Sequence, residues 1–479
     1  MQLSRTATSA ALLLALAAVP ASAQIDSALL SKPSFNLTNP GGKSLAMGGA
    51  FTAIADDATA ALANPAGLGL LSSVEFGLSA KRFDETIGLV TARATATGSL
   101  TAPWGPIRPG DSQISSRTLD VEYAGIVVPV SRRFVVALTY AENLRFEGDA
   151  GADGYPYLEF RDNRSGGVTR RDILYEYREY GSASLKNRLL GFSAGFRLSD
   201  RVRVGAGVTL NRTSFALDGD AEGAHRLVNT TYVSAVAVDT RTLLMRVEGF
   251  GSTEAAFVAG MHADLDARGM VTVGASYRSG PKTQGTLVLG GDVPAALADQ
   301  TSRPFMFSLP GDATAGIAVR PVPGMTVAAE VQWIAYGDIL DRALPIQSFS
   351  GFVGPSPGFP VTGVLADVRA ADDVFVPRVG AEYVAVAGAT RVAFRVGYHR
   401  EPAHGVTADV VVRDASGQPF EMTDPPFSEG VRTVFDGGKA DDRFSGGLGV
   451  TVARALSVDL SFDVGRASQR FAGSLFYRF

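Results

Sequence analysis

Gly41-Gly42-Lys43-Ser44 has the residue types of a phosphate cradle, in which backbone N–H groups and a lysine hold an anion. That cradle needs a glycine where this chain has Leu37, and no hydrophobic strand leads into it, so phosphate binding is not expected. The four histidines are His225, His262, His399 and His404. His399 and His404 are close together, but neither has an acidic or histidine partner at ligand spacing, so structural roles are expected for them. Asp218-Gly219-Asp220 begins like a calcium loop and lacks the later ligands. No serine has the context of a nucleophile elbow, and cysteine is absent, which removes thiol chemistry, disulfides and Cys-based metal sites. These residues predict no catalytic group, no metal and no cofactor.

One constellation remains. Gly48-Gly49-Ala50-Phe51 leads into Ala55-Asp56-Asp57-Ala58-Thr59 and then Asn64-Pro65-Ala66-Gly67-Leu68. Asp56 is placed to cap a short helix over Ala58–Ala63 by accepting backbone N–H bonds. Pro65 ends that helix, and Asn64 before it favours a turn. On residue types alone this is a capped helix and a turn.

The elements that must position it come next. Arg5, the apolar run Ala10–Val19 and the small residues Ala21-Ser22-Ala23 form a signal-peptide pattern, which predicts export and a mature chain from Gln24. The apolar run is too short to span a membrane as a helix. Residues 24–72 are rich in Ala, Gly and Asn and show little alternation, whereas short alternating segments begin at Ser73. In the clearest, Leu456, Val458, Leu460, Phe462 and Val464 share one face while Ser457, Asp459, Ser461, Asp463 and Gly465 share the other. Such a strand separates two different solvents. Charged residues are 19% of the chain and glycines number 54, a composition suited to turns and close-packed strands rather than long helices. The net charge of −4 gives no reason to expect a nucleic-acid partner.

Short connections fall near Ser131–Arg133, Ser199–Asp200, Asp266–Gly269, Pro321–Gly324, Ala387–Ala389 and Ala453–Ala455. Long polar stretches, expected to be loops, lie between them at 94–117, 147–184, 218–251, 289–311, 339–374 and 402–441. Short turns on one rim and long loops on the other are the pattern of an outer-membrane barrel with periplasmic turns. A first strand, six hairpins and a closing strand at Gln469–Phe479 give 14 strands, with both ends of the barrel on the periplasmic side. The predicted fold is all-β: a transmembrane 14-stranded antiparallel barrel over 73–479, preceded by a signal peptide at 1–23 and a partly helical segment at 24–72. Arg197, Arg203, Arg278, Glu330, Glu382, Arg391, Arg395, Asp459 and Asp463 are expected to face the lumen and to hold the N-terminal segment or one another.

The run Ala55-Asp56-Asp57-Ala58, followed by Asn64-Pro65-Ala66 and leading into the first strand, resembles the plug motif of the FadL-type outer-membrane transporters of long-chain fatty acids and hydrocarbons. The resemblance extends to Val379-Gly380-Ala381-Glu382-Tyr383, Phe394-Arg395-Val396-Gly397-Tyr398 and Asp442-Arg443-Phe444. It implies a 14-stranded barrel closed from inside by residues 24–72 as a hatch, with Asp56, Asp57, Asn64, Pro65 and Ala66 as the hatch motif. It also implies passive uptake of a hydrophobic ligand, above all a long-chain fatty acid, that leaves sideways through the wall. The family's ligand-contacting residues do not map onto this chain. Loop aromatics Tyr155, Tyr157, Phe160, Phe349, Phe352 and Phe359 are candidates for an outer ligand groove or for interface anchors. Outer-membrane lipid, lipopolysaccharide and the barrel-assembly machinery, which reads a terminal aromatic such as Phe479, are the other expected partners. Two readings compete: a structural or secretion-associated barrel with no small-molecule transport, a class in which a similar N-terminal motif occurs, and an open porin for polar solutes, which the plug-like residues 24–72 disfavour.

Overall fold

The computed structural model describes residues 39–93, 108–162, 170–229, 240–291, 302–340, 364–370, 372–405, 407–413, 419–420, 438–466 and 468–479. The proposed signal peptide and residues 24–38 lie outside them. The barrel wall is built from β1 (Glu75–Arg93), β2 (Arg108–Pro129), β3 (Phe134–Asp162), β4 (Arg170–Arg197), β5 (Val202–Asn229) and β6 (Thr240–Asp264). A bent strand follows, β7 (Val271–Arg278) continued by β8 (Lys282–Gly291), and a second, β9 (Ser302–Ser308) continued by β10 (Asp312–Val319). The wall then runs through β11 (Met325–Ile334), β13 (Val374–Ala387), β14 (Thr390–Glu401), β17 (Asp441–Val452), β18 (Leu456–Val464) and β19 (Ser468–Arg478). The short strands β12 (Val364–Ala370), β15 (Thr407–Arg413) and β16 (Pro419–Phe420) form a separate small sheet. With each bent pair counted once, the wall has the 14 antiparallel strands read from the turns. Pairing of β1 with β19 closes it, Glu75 facing Arg478.

Alternation explains the wall. Along β18 the five apolar residues face outward, while Asp459, Ser461 and Asp463 are buried inside. On β4, Phe196, Phe192 and Leu190 are outward and exposed, as are Phe471, Leu475, Tyr477 and Phe479 at the closing strand. A closed antiparallel sheet satisfies every backbone group without an edge, and its apolar outer band marks a membrane-spanning barrel of the outer-membrane kind. Among the described residues no helix is long and apolar enough to cross a membrane; the strands do the crossing.

Strands enter the stretches expected to be loops: β2 begins at Arg108 within 94–117, and β9 lies within 289–311. Most of 147–184 and 218–251 continues β3 to β6 as paired strands, Asp162 facing Arg170 and Val228 facing Asp172. Beyond the membrane both faces of a sheet meet water, so the hydrophobic contrast that reveals a strand in sequence disappears while its ladder persists.

Candidate functional site

Residues 39–71 pack inside the barrel as a short helix Gly42–Ala46, a turn, a helix Ala60–Ala63 and a 3-10 helix Pro65–Leu70. Nearly every residue of this segment is buried. A chain with so little side-chain bulk can lie flat on a wall that also lacks bulk. Gly195 faces Gly205 and Gly205 faces Gly260, a glycine row across β4, β5 and β6. A Cβ built on Gly205 would come within 2.3 Å of the Pro65 carbonyl carbon, and one on Gly260 within 2.1 Å of Asn64 Oδ1. On the opposite wall Gly48, with φ +66°, rests against the Tyr398 backbone, which only a residue without Cβ permits.

Wall side chains bond the segment's backbone. Glu330 accepts the N–H groups of Phe51 and Thr52 at 3.1 and 2.8 Å. His262 Nε2 and Thr272 Oγ1 lie 3.0 and 2.9 Å from the Ala53 carbonyl, Ser193 donates to Ala61, and Arg197 donates to Gly69. Backbone groups buried with no water must find such partners, so the contacts have a physical necessity.

The motif residues take distinct places. Asp56 does not cap the following helix, contrary to expectation; both its oxygens accept from Lys43 Nζ at 2.9 Å. The lysine of the phosphate-like run is thereby consumed in an ion pair. Burial raises the Asp56 carboxyl, and the Lys43 ammonium outweighs this and holds it below the usual carboxylate range. Asp57 is the acceptor instead, taking the Thr59 N–H at 2.9 Å and the Thr59 hydroxyl at 2.5 Å. The helix then spans only Ala60–Ala63. Burial, followed by the charges of Asp56 and Glu75, pushes Asp57 up to about 7. Between these events Ala58 is gripped at both backbone groups: Glu75 accepts its N–H at 2.6 Å and Tyr123 donates to its carbonyl at 2.5 Å. Glu75 also pairs with Arg478 across the seam where first and last strands meet. The acidic motif therefore sits on the closing seam of the barrel.

Asn64, fully buried, ties three elements together. Its Nδ2 donates to Thr52 of the segment at 2.9 Å and to Met261 of the wall at 3.0 Å, and its Oδ1 accepts the Ala66 N–H at 3.2 Å. Pro65 begins the 3-10 helix, where its missing N–H is no loss. Pro65 and Ala66 lie on Gly205.

Lumenal charges are largely paired. Arg395 bridges Glu382 and Asp459, Arg203 reaches Asp264, and Arg278 reaches Asp312. Arg443 holds Asp463 and Asp441. Arg391 is at the exposed periplasmic end of β14. His404 stacks on Tyr336, and His399 approaches Glu401 at 3.6 Å. Tyr155, Tyr157 and Phe160 fall on β3, but their side chains, like the whole of Phe349, Phe352 and Phe359, lie outside the described residues.

The wall is interrupted beside this segment. β2 and β3 pair at Ser116–Gly148 and again at Tyr123–Ala141, in unchanged register, with no pair between. Each flanking strand carries an extra residue there. Ser79 faces Tyr123 and Ala80 faces Val121, leaving Glu122 as a bulge in β2. Glu142 faces Arg188 and Leu144 faces Asn187, leaving Asn143 as a bulge in β3. A bulge bends its strand and increases the local twist, so two bulges on outer flanks draw the strands apart. Leu119 and Val121 on this edge face outward and are exposed. Glu122 turns inward, accepting from Lys81 at 2.8 Å, Ser79 at 3.1 Å and the Gly41 N–H at 3.2 Å. Sequence inspection missed Glu122, Lys81 and Glu75. The available signal was the parity switch from Leu119 and Val121 to Ala124 and Ile126, which a bulge produces.

No protein-family model matches the sequence. No curated protein matches it either. Solved structures do. A Pseudomonas aeruginosa FadL homologue aligns with 93% of this chain and 99% of its own at 15% identity, with a TM-score of 0.53. The Ralstonia pickettii toluene transporter TbuX aligns with 93% of this chain and 100% of its own at 14% identity and a TM-score of 0.47. The Pseudomonas putida toluene transporter TodX aligns with 92% of this chain and 98% of its own at 14% identity and a TM-score of 0.47. The fold is that of the FadL homologue: a closed 14-strand antiparallel barrel.

Proposed function

We propose that this chain is an outer-membrane transporter for passive uptake of hydrophobic compounds, with long-chain fatty acids as the leading class. The observation that carries this reading is the break between β2 and β3. Leu119 and Val121 lie on its lipid side and the Gly41–Glu122 bond on its inner side, so in this reading it joins the lumen to the apolar outer band. An apolar solute gains nothing from a water-filled pore, and a sideways exit delivers it to the solvent it prefers. In this reading residues 24–72 act as a hatch carrying Asp56, Asp57, Asn64, Pro65 and Ala66. A small displacement near Gly41 uncovers the break, with no need to expel the wedged Asn64–Leu70 portion. The resemblance of the N-terminal motif to FadL-type plugs supports the same use.

The test compares labelled oleate and labelled toluene uptake in a strain lacking the protein and in the complemented strain. Extracts of the purified barrel are searched by mass spectrometry for bound ligand. Oleate uptake restored by the gene, with fatty acid bound, is the expected result. Restoration of toluene uptake alone moves the cargo to small hydrocarbons. Unchanged uptake of both, with no co-purifying lipid, overturns transport in favour of a structural or secretion-associated barrel.

A further inference from the structure

The outer surface of β1 to β5 is apolar from the periplasmic turns upward, and each apolar run then ends in charge. Past Leu78 and Ala80 comes Arg82; past Val121 and Leu119 comes Arg117. Past Leu190 comes Arg188, and past Val208 and Leu210 comes Arg212, while the Glu142 side chain beyond Leu138 and Tyr140 is buried. Because the short turns lie at the periplasmic rim, this collar lies at the outer-leaflet edge of the band.

The charges of the collar do not balance. Asp84 is shared by Arg82 at 2.8 Å and Arg117 at 3.3 Å. Across the break, Glu142 is 3.8 Å from Arg188, and Arg188 faces Arg212 directly in the ladder. Arg212 is exposed and forms no ion pair with another described residue. Like charges directly opposite on one sheet face repel, so this pair is an unfavourable choice for the barrel alone. The other side of the barrel shows the balanced alternative: Arg400 lies 3.9 Å from Asp442, which also accepts from Tyr398 at 2.7 Å.

We propose that Arg188 and Arg212, with Arg82 and Arg117 across the break, form a binding surface for the phosphate head group of an outer-leaflet glycolipid. Guanidinium groups match phosphate oxygens bidentately, and an anion between Arg188 and Arg212 converts their repulsion into a shared attraction. Leu190 and Leu210 directly below receive the acyl chains, so head group and tails are recognised together. Such a lipid stands beside the wall break without occupying it. This inference does not depend on the cargo.

The test uses the full-length barrel in neutral detergent with a bis-phosphorylated glycolipid, the same lipid dephosphorylated, and inorganic phosphate. Binding is read by native mass spectrometry for the wild type, the double variant Arg188→Gln/Arg212→Gln, and Arg400→Gln. Heat-modifiability on gels confirms that each variant is assembled. The double variant is expected to bind the phosphorylated lipid roughly 30-fold more weakly, as for two arginines lost from an anionic surface. Arg400→Gln and the dephosphorylated lipid should show no such variant-dependent loss. Wild-type affinity in the double variant, or equal wild-type affinity for the dephosphorylated lipid, overturns the proposal. Affinity for inorganic phosphate equal to that for the glycolipid also overturns it, since the occupant would then be a free anion.

Discussion

Among the described residues, two breaks in the barrel wall are built differently. Between β2 and β3 the strands part between two bulges, keep their register and rejoin. The second break lies between β6 and the bent strand of β7 and β8. There the Ser279 N–H still reaches Phe257 at 2.9 Å, and pairing resumes only at Gly251–Gly285. Its cause is local: Gly280 and Pro281 interrupt the strand, proline supplying no N–H, and Gly280 presses on the Leu309 carbonyl. The outward residues at its edge are Thr253, Ala255, Phe257 and Lys282, and the Phe257 ring packs on Tyr277 with centroids 5.5 Å apart. The N-terminal segment also meets the two sides differently. Toward β2 it is tied through polar contacts from Glu122 and Tyr123 alone, whereas on β4, β5 and β6 it is both hydrogen-bonded, by Ser193, Arg197 and the Met261 carbonyl, and wedged onto the glycine row. In the proposed mechanism, a latch on one side and a wedge on the other make the β2–β3 break the one that a small movement uncovers.

The largest expected effect comes from removing the wedge. Gly205→Val places its Cβ and methyl groups inside Pro65, an overpacking of at least ~1–3 kcal/mol. The segment is expected to leave its seat on β4 to β6, and planar-bilayer recordings should then show open-pore conductance to small ions. A closed variant would mean that the glycine row is not what holds the segment.

Next comes removal of the bulge. Deleting Glu122, with Lys81→Met so that no buried ammonium is orphaned, lets β2 run straight and close the β2–β3 break. Uptake of hydrophobic solute should fall to the level of the strain lacking the protein, while Pro281→Ala at the other break leaves it unchanged. The reverse outcome would transfer the route to β6 and β7.

Asn64→Ala removes three buried hydrogen bonds, about 2–4 kcal/mol of docking. The barrel should stay heat-modifiable, while limited proteolysis nicks residues 39–72 faster. Protection equal to the wild type would reduce Asn64 to a turn residue.

The acidic motif adds a dependence on pH. Because the docked segment raises Asp57 from 3.8 to about 7, docking binds the proton more tightly than the undocked chain does. The docked state is then most stable below 3.8, weakens as pH rises toward 7, and is level above it, by up to ~4 kcal/mol in total. Proteolytic nicking should increase from pH 5 to pH 8, and Asp57→Asn should flatten the profile. A wild type indifferent to pH would place the Asp57 carboxyl in contact with water.

Much of the wall was legible in the sequence because a membrane imposes a strict code. Alternation such as Leu456 to Val464 is readable wherever lipid and lumen face opposite sides of a strand, and the short turns set the strand count. Where β3 to β6 rise into water, the code lapsed and strands passed for loops. The motif residues were also visible, Asn64 and Pro65 in the turn that they do form. Their partners were not. That Asp56 leaves the helix start and pairs with Lys43 depends on a lysine that is adjacent only after folding. Asn64 finds Met261, Ala58 finds Tyr123 and Gly41 finds Glu122 because barrel closure brings distant strands around one short segment. Sequence by itself determined that this chain forms a barrel, since side-chain polarity alternates with a period the backbone must obey. Only the tertiary structure decided where the wall opens and what seals it, because a bulge and a buried hydrogen bond are relations between strands and exist in no single stretch of chain.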